Sequence, residues 1–194
     1  MSESIGEEEV AALAHAARLF GDLLLFELDA DGLARLQAPE LRAALEGLGV
    51  EVPGFDATTP EGARSLEELA AALYAALLSP TGGAPPIASL WLEGRYEGEA
   101  AARVADLAAL AGIDFDGVAA RSAPIDHLGS ILILWAEAAG RAPEVADVLA
   151  SDHLAWAGRP LARIAAGDGF YASLAAATRE LVEALAATRL SGAT

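Results

Sequence analysis

The sequence predicts an all-α protein. Ala and Leu supply 78 of the 194 residues, and both are strong helix formers. β-Branched residues are scarce, so intrinsic preference favours helix over strand. Apolar residues also recur every three or four positions, which is the spacing of an amphipathic helix. We therefore expect a helical bundle of about eight to ten helices.

The first predicted helix runs from Glu7 to Gly21, where four apolar side chains fall on one face and the glycine is a stop signal. A second helical stretch covers about residues 31–48, with a break at Pro39. A loop follows over residues 49–59. Each of these assignments depends on apolar spacing and on a Gly or Pro that interrupts it.

The next helix has two start signals. Pro60 follows Thr59 and suits a first helical position, and Ser65-Leu66-Glu67-Glu68 matches a capping box. We expect this helix to continue to about Leu78. A Gly- and Pro-rich loop then covers residues 79–86 and is the best candidate for a flexible connection.

The second half of the chain repeats this pattern of helices separated by breakers. We expect a helix over residues 99–111 with Gly112 after its end, and an apolar helix over residues 124–139. Further helices should begin at Pro143, at Pro160 and after Asp168, which is placed to cap the last helix.

Length and hydropathy indicate a single cytoplasmic domain. A chain of 194 residues is long enough to bury one sizeable core. Its mean hydropathy is +0.37, yet it has no apolar run of the roughly 20 residues that a membrane span needs. The first nine residues carry four Glu and lack the basic start of an export signal. We therefore predict no membrane span and a cytoplasmic location.

Charge narrows the class of partner. The formal net charge is −17, and all 12 basic residues are Arg. Nucleic acids and anionic lipids both need clustered cations, so neither is expected to bind. A cationic partner is compatible with this charge, although acidity alone also keeps an apolar-rich protein soluble.

The residues give little support for metal, cofactor or catalytic chemistry. There is no Cys, and His15, His127 and His153 lack the three- or four-residue spacing that places two ligands on one helix face. No Gly-x-Ser-x-Gly turn and no phosphate-binding Gly-rich loop is present. We predict no metal site and no cofactor.

The segment Ala123-Pro124-Ile125-Asp126-His127-Leu128 has two interpretations from its residues alone. Asp126 and His127 could serve as an acid/base pair in a small helical hydrolase, because His titrates near neutral pH. Alternatively, the segment is a helix start in which Pro124 occupies the first turn and Asp126 favours the positive end of the helix dipole.

Five short elements, read in order, resemble one protein family. They are Tyr74-Ala75-Ala76-Leu77-Leu78, the stretch from Pro85 through Ser89-Leu90-Trp91-Leu92, Ala123-Pro124-Ile125-Asp126-His127, His153-Leu154-Ala155-Trp156 and Phe170-Tyr171-Ala172-Ser173-Leu174. Together they resemble the TorD/DmsD/NarJ family of redox-enzyme maturation chaperones, most closely its DmsD-like branch. The family's motif has Glu before the Pro, whereas this chain has Ala123.

The resemblance implies a TorD-like helical fold with two lobes, at about residues 1–121 and 122–194, joined at a hinge near Pro124. It also implies a non-enzymatic chaperone that binds the twin-arginine signal peptide of a molybdopterin-containing oxidoreductase. Such a chaperone delays export of the precursor while the cofactor is inserted. Molybdenum-cofactor biosynthesis proteins are implied as further partners, and the chain is expected to be a monomer or a domain-swapped dimer.

The same resemblance implies a binding site. The residues concerned are Tyr74, Leu77, Leu78, Ser89, Trp91, Leu92, Pro124, Asp126 and His127. We expect the apolar members to form the floor for the peptide and Asp126 to face its arginines, although other carboxylates could make that contact. Two alternatives remain: a NarJ-like assembly chaperone for a molybdoenzyme subunit that is not exported, and a helical adaptor that binds no signal peptide.

Overall fold

The computed structural model describes residues 6–79, 83–114 and 123–190. In chain order the helices are α1 Glu7–Leu25, α2 Ala30–Leu36, α3 Pro39–Gly47, α4 Pro60–Leu73, α5 Ala88–Glu93, α6 Glu99–Leu110, α7 Leu128–Ala139, α8 Pro143–His153, α9 Gly158–Ala165 and α10 Phe170–Ala187. A π-helical turn, Tyr74–Leu78, continues α4, and a 3-10 turn, Ala155–Ala157, precedes α9. These ranges contain no strand, and the all-α prediction is confirmed.

Helix α1 corrects the prediction that Gly21 ends the first helix. The helix continues to Leu25, and Gly21 lies inside it and is buried. A Cβ atom at residue 21 would lie 2.7 Å from the backbone oxygen of Gly129 on α7. Gly21 is therefore a point of close helix–helix approach, and apolar burial on both sides keeps the helix intact through it.

Helix α4 shows which of its two start signals is used. The Thr59 hydroxyl accepts a 3.0 Å hydrogen bond from the backbone N–H of Gly62, and Pro60 occupies the first helical turn. Ser65 and Glu68 lie inside the helix, so the predicted capping box is wrong. Because α4 already begins at the Thr59 cap, Ser65 has no free N–H groups at a helix start to accept from.

Helix α7 begins four residues later than predicted. Its first residue is Leu128, and His127 rather than a residue near Pro124 is its N-cap. Residues 123–127 form an irregular segment before it. The apolar run from Leu128 to Trp135 is buried completely or almost completely, so α7 is a central core helix as the sequence indicated.

The chain divides into two compact units, which are described separately. The first comprises the described residues up to Leu25, those within Pro86–Gly158, and those from Glu180 onward. Its core is α7, which packs most extensively on α1 and next on α8. A candidate membrane span is absent from the helices within the described part of the chain.

The second unit comprises the described residues of Phe26–Pro85 together with Arg159–Arg179. Leu33, Leu36, Leu45, Leu73 and Leu77 are buried in its core. Each unit contains residues from both sides of the lobe boundary expected between residues 121 and 122. The lobes 1–121 and 122–194 and the hinge between them stay a prediction.

Candidate functional site

The Pro124–Leu128 segment pairs with the Pro86–Ser89 segment in the first unit. The N–H of Ala88 donates to the backbone oxygen of Asp126 at 3.0 Å, and the N–H of Leu128 donates to the oxygen of Pro86 at 2.7 Å. Ile87 and His127 thereby form an isolated antiparallel bridge. Two sequence elements almost 40 residues apart are thus held together by backbone hydrogen bonds.

Asp126 caps helix α5 from outside that helix. Its Oδ2 accepts a 2.8 Å hydrogen bond from the N–H of Ser89, in the first turn of α5. Ile87, the N-cap residue, has no side-chain acceptor for the free N–H groups of that turn, so a carboxylate from elsewhere supplies one. Asp126 therefore fixes where α5 begins.

Asp126 is completely buried and does not reach the surface in this structure. Its expected contact with signal-peptide arginines stays a prediction, and it would require the carboxylate to become exposed first. The second oxygen, Oδ1, and the hydroxyl of Ser89 have no hydrogen-bond partner among the described residues. Both are buried polar atoms, and both lie where the Pro124–Leu128 and Pro86–Ser89 segments pair.

His127 caps helix α7. Its Nδ1 accepts a 3.1 Å hydrogen bond from the N–H of Gly129, so the ring proton lies on Nε2. Burial lowers the pKa of His127 to about 4, because the low-dielectric interior disfavours the imidazolium ion. The ring is therefore neutral at pH 7.

The geometry gives no support to Asp126 and His127 as an acid/base pair. Both side chains are buried, and Asp126 Oδ1 and His127 Nε2 both lack a described partner, so these two atoms are not bonded to each other. A catalytic pair would need a hydrogen bond between base and orienting carboxylate, or reach to a substrate proton. Clusters of three or more potential metal ligands are also absent from the described part of the chain.

Pro124 is held by two donors rather than placed in a helix. Its backbone oxygen accepts from the N–H of His127 at 3.0 Å and from the Ser130 hydroxyl at 2.9 Å. These two hydrogen bonds connect Pro124 to the N-cap and to the first turn of α7, and they hold the irregular segment before that helix in place. The role of Pro124 and His127 in shaping a hinge stays a prediction.

Helix α5 presents Trp91 and Leu92 beyond the cap that Asp126 provides. Trp91 is half-buried, and Leu92 is 57% exposed. Leu92 borders a cavity of about 280 Å³ that is also lined by Arg103, His153 and Trp156. The structure therefore places the Ser89-x-Trp91-Leu92 element next to the His153-Leu-x-Trp156 element. Neither motif by itself predicts this proximity.

Arg103 is the charged residue that sequence reasoning missed at this cavity. Burial lowers the pKa of His153, Asp152 raises it, and Arg103 lowers it further. The Trp156 indole N–H donates to the backbone oxygen of His153 at 2.7 Å, which fixes the aromatic wall. A contact between α6 and the end of α8 is non-local, and no pattern in the sequence points to it.

Tyr74, Leu77 and Leu78 lie on the π-helical turn of the second unit. Leu77 is completely buried, whereas Tyr74 is 58% exposed and Leu78 37% exposed. The N–H of Ser79 donates to the Tyr74 oxygen at 2.7 Å, which is the five-residue spacing of a π turn. One leucine thus anchors the turn, while two large apolar side chains face solvent.

The chain is similar in fold to a solved crystal structure from Archaeoglobus fulgidus, whose description names it a redox enzyme maturation protein by inference. The two chains are 19% identical, the TM-score is 0.56, and the match covers 94% of this chain and 98% of the other. No protein-family model and no curated protein matches the sequence. At this identity the likeness establishes the fold, and function must come from the site.

Proposed function

We propose that this protein is a cytoplasmic maturation chaperone that binds the twin-arginine signal peptide of a molybdopterin-containing oxidoreductase. It delays export of the precursor and assists cofactor insertion and assembly. It performs no catalysis itself. Its partners are the signal peptide, the rest of the precursor and proteins of molybdenum-cofactor biosynthesis, and it acts as a monomer or a domain-swapped dimer.

The observation that carries the proposal is the exposure of apolar side chains within the family-like elements. Tyr74, Leu78 and Leu92 are among the few large apolar residues with more than a third of their surface in solvent. Tyr74 and Leu78 lie on the π turn of the second unit and Leu92 lies on α5 of the first unit, and in each unit these exposed apolar side chains are the candidate contacts for a partner. The neighbour in fold, described as a redox enzyme maturation protein, supports the same class of function.

The chemistry of the partner matches these surfaces. A twin-arginine signal combines cationic residues with an apolar stretch, and this chain combines exposed apolar residues with a net charge of −17. Burying about 400 Å² of apolar peptide surface gives about 10 kcal/mol before ordering and association costs are subtracted. A dissociation constant near micromolar is the expected result.

In this proposal Ser89 and Asp126 position the surface rather than contact the peptide. Their hydrogen bond fixes the start of α5 and therefore the direction in which Trp91 and Leu92 project. Leu77 has the corresponding role for Tyr74 and Leu78, because it anchors the π turn in the core. Pro124 and His127 hold the segment that presents Asp126.

The experiment is a titration of a labelled synthetic peptide, with Arg-Arg before an apolar stretch of about 12 residues, followed by fluorescence anisotropy. Tyr74→Ser and Leu92→Ser should each weaken binding several-fold. Leu48→Ser and Leu110→Ser are matched controls, because those leucines are 52% and 74% exposed but lie outside the family-like elements. Equal affinities for all four variants would refute the assignment of Tyr74 and Leu92 to peptide binding.

The same titration distinguishes the NarJ-like alternative from the proposed binding of a twin-arginine signal peptide. A chaperone for a subunit that is not exported has no reason to distinguish Arg-Arg from Gln-Gln in the peptide. Equal binding of both peptides, together with loss of binding in Tyr74→Ser and Leu92→Ser, would favour that alternative.

A further inference from the structure

An open groove of about 610 Å³ lies within the second unit, on residues that the family-like elements do not account for. One wall is the loop after α3, a second is one face of α4, and the third is the turn between α9 and α10. Apolar side chains cover its floor, among them Phe55, Leu69 and Phe170. Its volume is in the range of sites that hold small ligands or several side chains of a peptide.

The loop wall of this groove is held in place by side-chain hydrogen bonds. Gln37 Nε2 donates to the backbone oxygens of Pro53 and Phe55 at 2.8 and 2.9 Å. The N–H of Glu51 donates to the Ser173 hydroxyl at 2.9 Å, which ties the loop to the first turn of α10. The groove is therefore formed before any partner binds, and binding does not have to order this loop.

The charges that line the groove are all negative. Glu51, Glu68 and Asp168 are exposed at its edge, and no Arg is among the lining residues. None of the three forms an ion pair with a described residue. By contrast, Asp22, Glu46, Glu93, Glu99 and Glu137 each form an ion pair with an arginine, and all five lie outside the groove. The groove thus offers three unpaired carboxylates beside an apolar floor.

On the α10 side, Tyr171 is a groove-lining residue with a buried hydroxyl. Tyr171 is 5% exposed, and its hydroxyl has no partner among the described residues. Burial raises the pKa of Tyr171, and the nearby Glu27 raises it further, so the hydroxyl keeps its proton. The ring is packed edge-on against Phe170 with 5.0 Å between ring centroids. A buried donor without a partner is costly unless a ligand satisfies it.

We propose that this groove receives the arginine-bearing part of the signal peptide, with the two guanidinium groups at Glu51, Glu68 and Asp168 and the following apolar side chains on Phe55, Leu69 and Phe170. This inference rests on the proposed function. It assigns the arginines to exposed carboxylates instead of Asp126, which is completely buried. Charge complementarity selects a cationic apolar peptide over an anionic or a purely apolar partner.

The test is a calorimetric cycle with two synthetic peptides, one with Arg-Arg before the apolar stretch and one with Gln-Gln. The triple variant Glu51→Gln, Glu68→Gln, Asp168→Asn should weaken the Arg-Arg peptide roughly tenfold. Its affinity for the Gln-Gln peptide should not change. The control triple Glu40→Gln, Glu61→Gln, Glu67→Gln removes the same charge from exposed positions outside the groove and should bind like the wild type.

A second pair of variants tests whether filling the groove with a large side chain prevents peptide binding. Ala72 lines the groove, whereas Ala71 is also exposed on the same helix but does not line the groove. Ala72→Trp should weaken both peptides roughly tenfold because it fills the groove, and Ala71→Trp should weaken neither. The charge variants are isosteric and exposed, so they keep the test decisive if Ala72→Trp fails to fold.

The outcomes separate the inference from the function on which it rests. If the wild type prefers Arg-Arg, but the groove triple and Ala72→Trp bind that peptide as the wild type does, the inference is overturned and the proposed function stands. If the wild type binds neither peptide, or both equally, the proposed function fails and the inference fails with it.

Discussion

Asp126 Oδ2 accepts a 2.8 Å hydrogen bond from the backbone N–H of Ser89, 37 residues earlier in the chain. This bond makes a buried carboxylate the N-terminal cap of a helix that belongs to another sequence element. It explains why an acidic residue lies inside the core, because the free N–H groups of α5 need an acceptor there. The Asp-His motif therefore connects two segments of the chain through hydrogen bonds.

Removing the Asp126 carboxylate should destabilise the fold. Asp126→Ala leaves the Ser89 N–H buried without an acceptor and should lower the free energy of unfolding by about 2–3 kcal/mol. Asp126→Asn keeps an acceptor oxygen and should cost about 1 kcal/mol. Urea denaturation measures both. Asp106→Ala, at an exposed position of α6, serves as the control and should change stability by no more than about 0.5 kcal/mol.

His127 should make stability depend on pH. Its folded-state pKa is lowered to about 4, whereas an unfolded His titrates near 6.5. Between these values the unfolded chain binds a proton that the folded chain does not, so stability falls as the pH falls from about 6.5 to 4. The loss from this group is about 3 kcal/mol and is absent above about pH 6.5.

The matched variant for His127 is His127→Asn, which retains a capping acceptor but does not titrate. Denaturation at several pH values between 4 and 7 should give a shallower pH dependence for this variant than for the wild type. His15→Asn, at an exposed position of α1, is the control. The same slope for wild type and His127→Asn would show that His127 is not the titrating group.

The contact between α1 and α7 should be sensitive to a single methyl group. In Gly21→Ala the added Cβ would lie 2.7 Å from both the Gly129 oxygen and Ile133 Cγ1. We expect a loss of about 2 kcal/mol, because the clash outweighs the better helix propensity of Ala. Thermal unfolding followed by circular dichroism measures this loss.

Gly47→Ala is the control for the glycine prediction. Gly47 is the last residue of α3, and nothing lies within 4 Å of the Cβ that Ala would add. This substitution should stabilise the protein by about 0.5–1 kcal/mol. If both substitutions had the same effect, the close approach of α1 and α7 would be wrong.

The two neighbouring leucines of the π turn should contribute differently to stability. Leu77 is completely buried and Leu78 is 37% exposed. Leu77→Ala should cost about 3 kcal/mol of unfolding free energy, whereas Leu78→Ala should cost less than about 1 kcal/mol. Chemical denaturation compares the two. Equal losses would contradict the orientation that the π turn gives these side chains.

Local signals in the sequence predicted the fold well. The break at Pro39 and the helix start at Pro143 lie where the structure has them, and Thr59-Pro60 marks the start of α4. The failures have physical causes. Gly21 was interpreted as a stop because its role depends on a helix more than 100 residues away, and the Ser65 capping box failed because an earlier cap had already satisfied the helix start.

The candidate site was predictable only in part. Motif order predicted that the residues around Ser89 and Asp126 matter, but not that the carboxylate is buried beneath α5. Arg103 beside His153 and Trp156, and the acidic groove around Glu51, Glu68 and Asp168, involve contacts between elements distant in sequence. Apolar periodicity identifies which side of a helix is buried but gives no information on which elements meet.

The central claim is that the protein recognises an arginine-bearing apolar peptide. The most direct measurement is calorimetric titration of the wild-type protein with the Arg-Arg peptide and with its Gln-Gln counterpart at low salt. We predict a dissociation constant near micromolar for the first peptide and roughly tenfold weaker binding for the second. Equal affinities, or no heat of binding with either peptide, would contradict the claim.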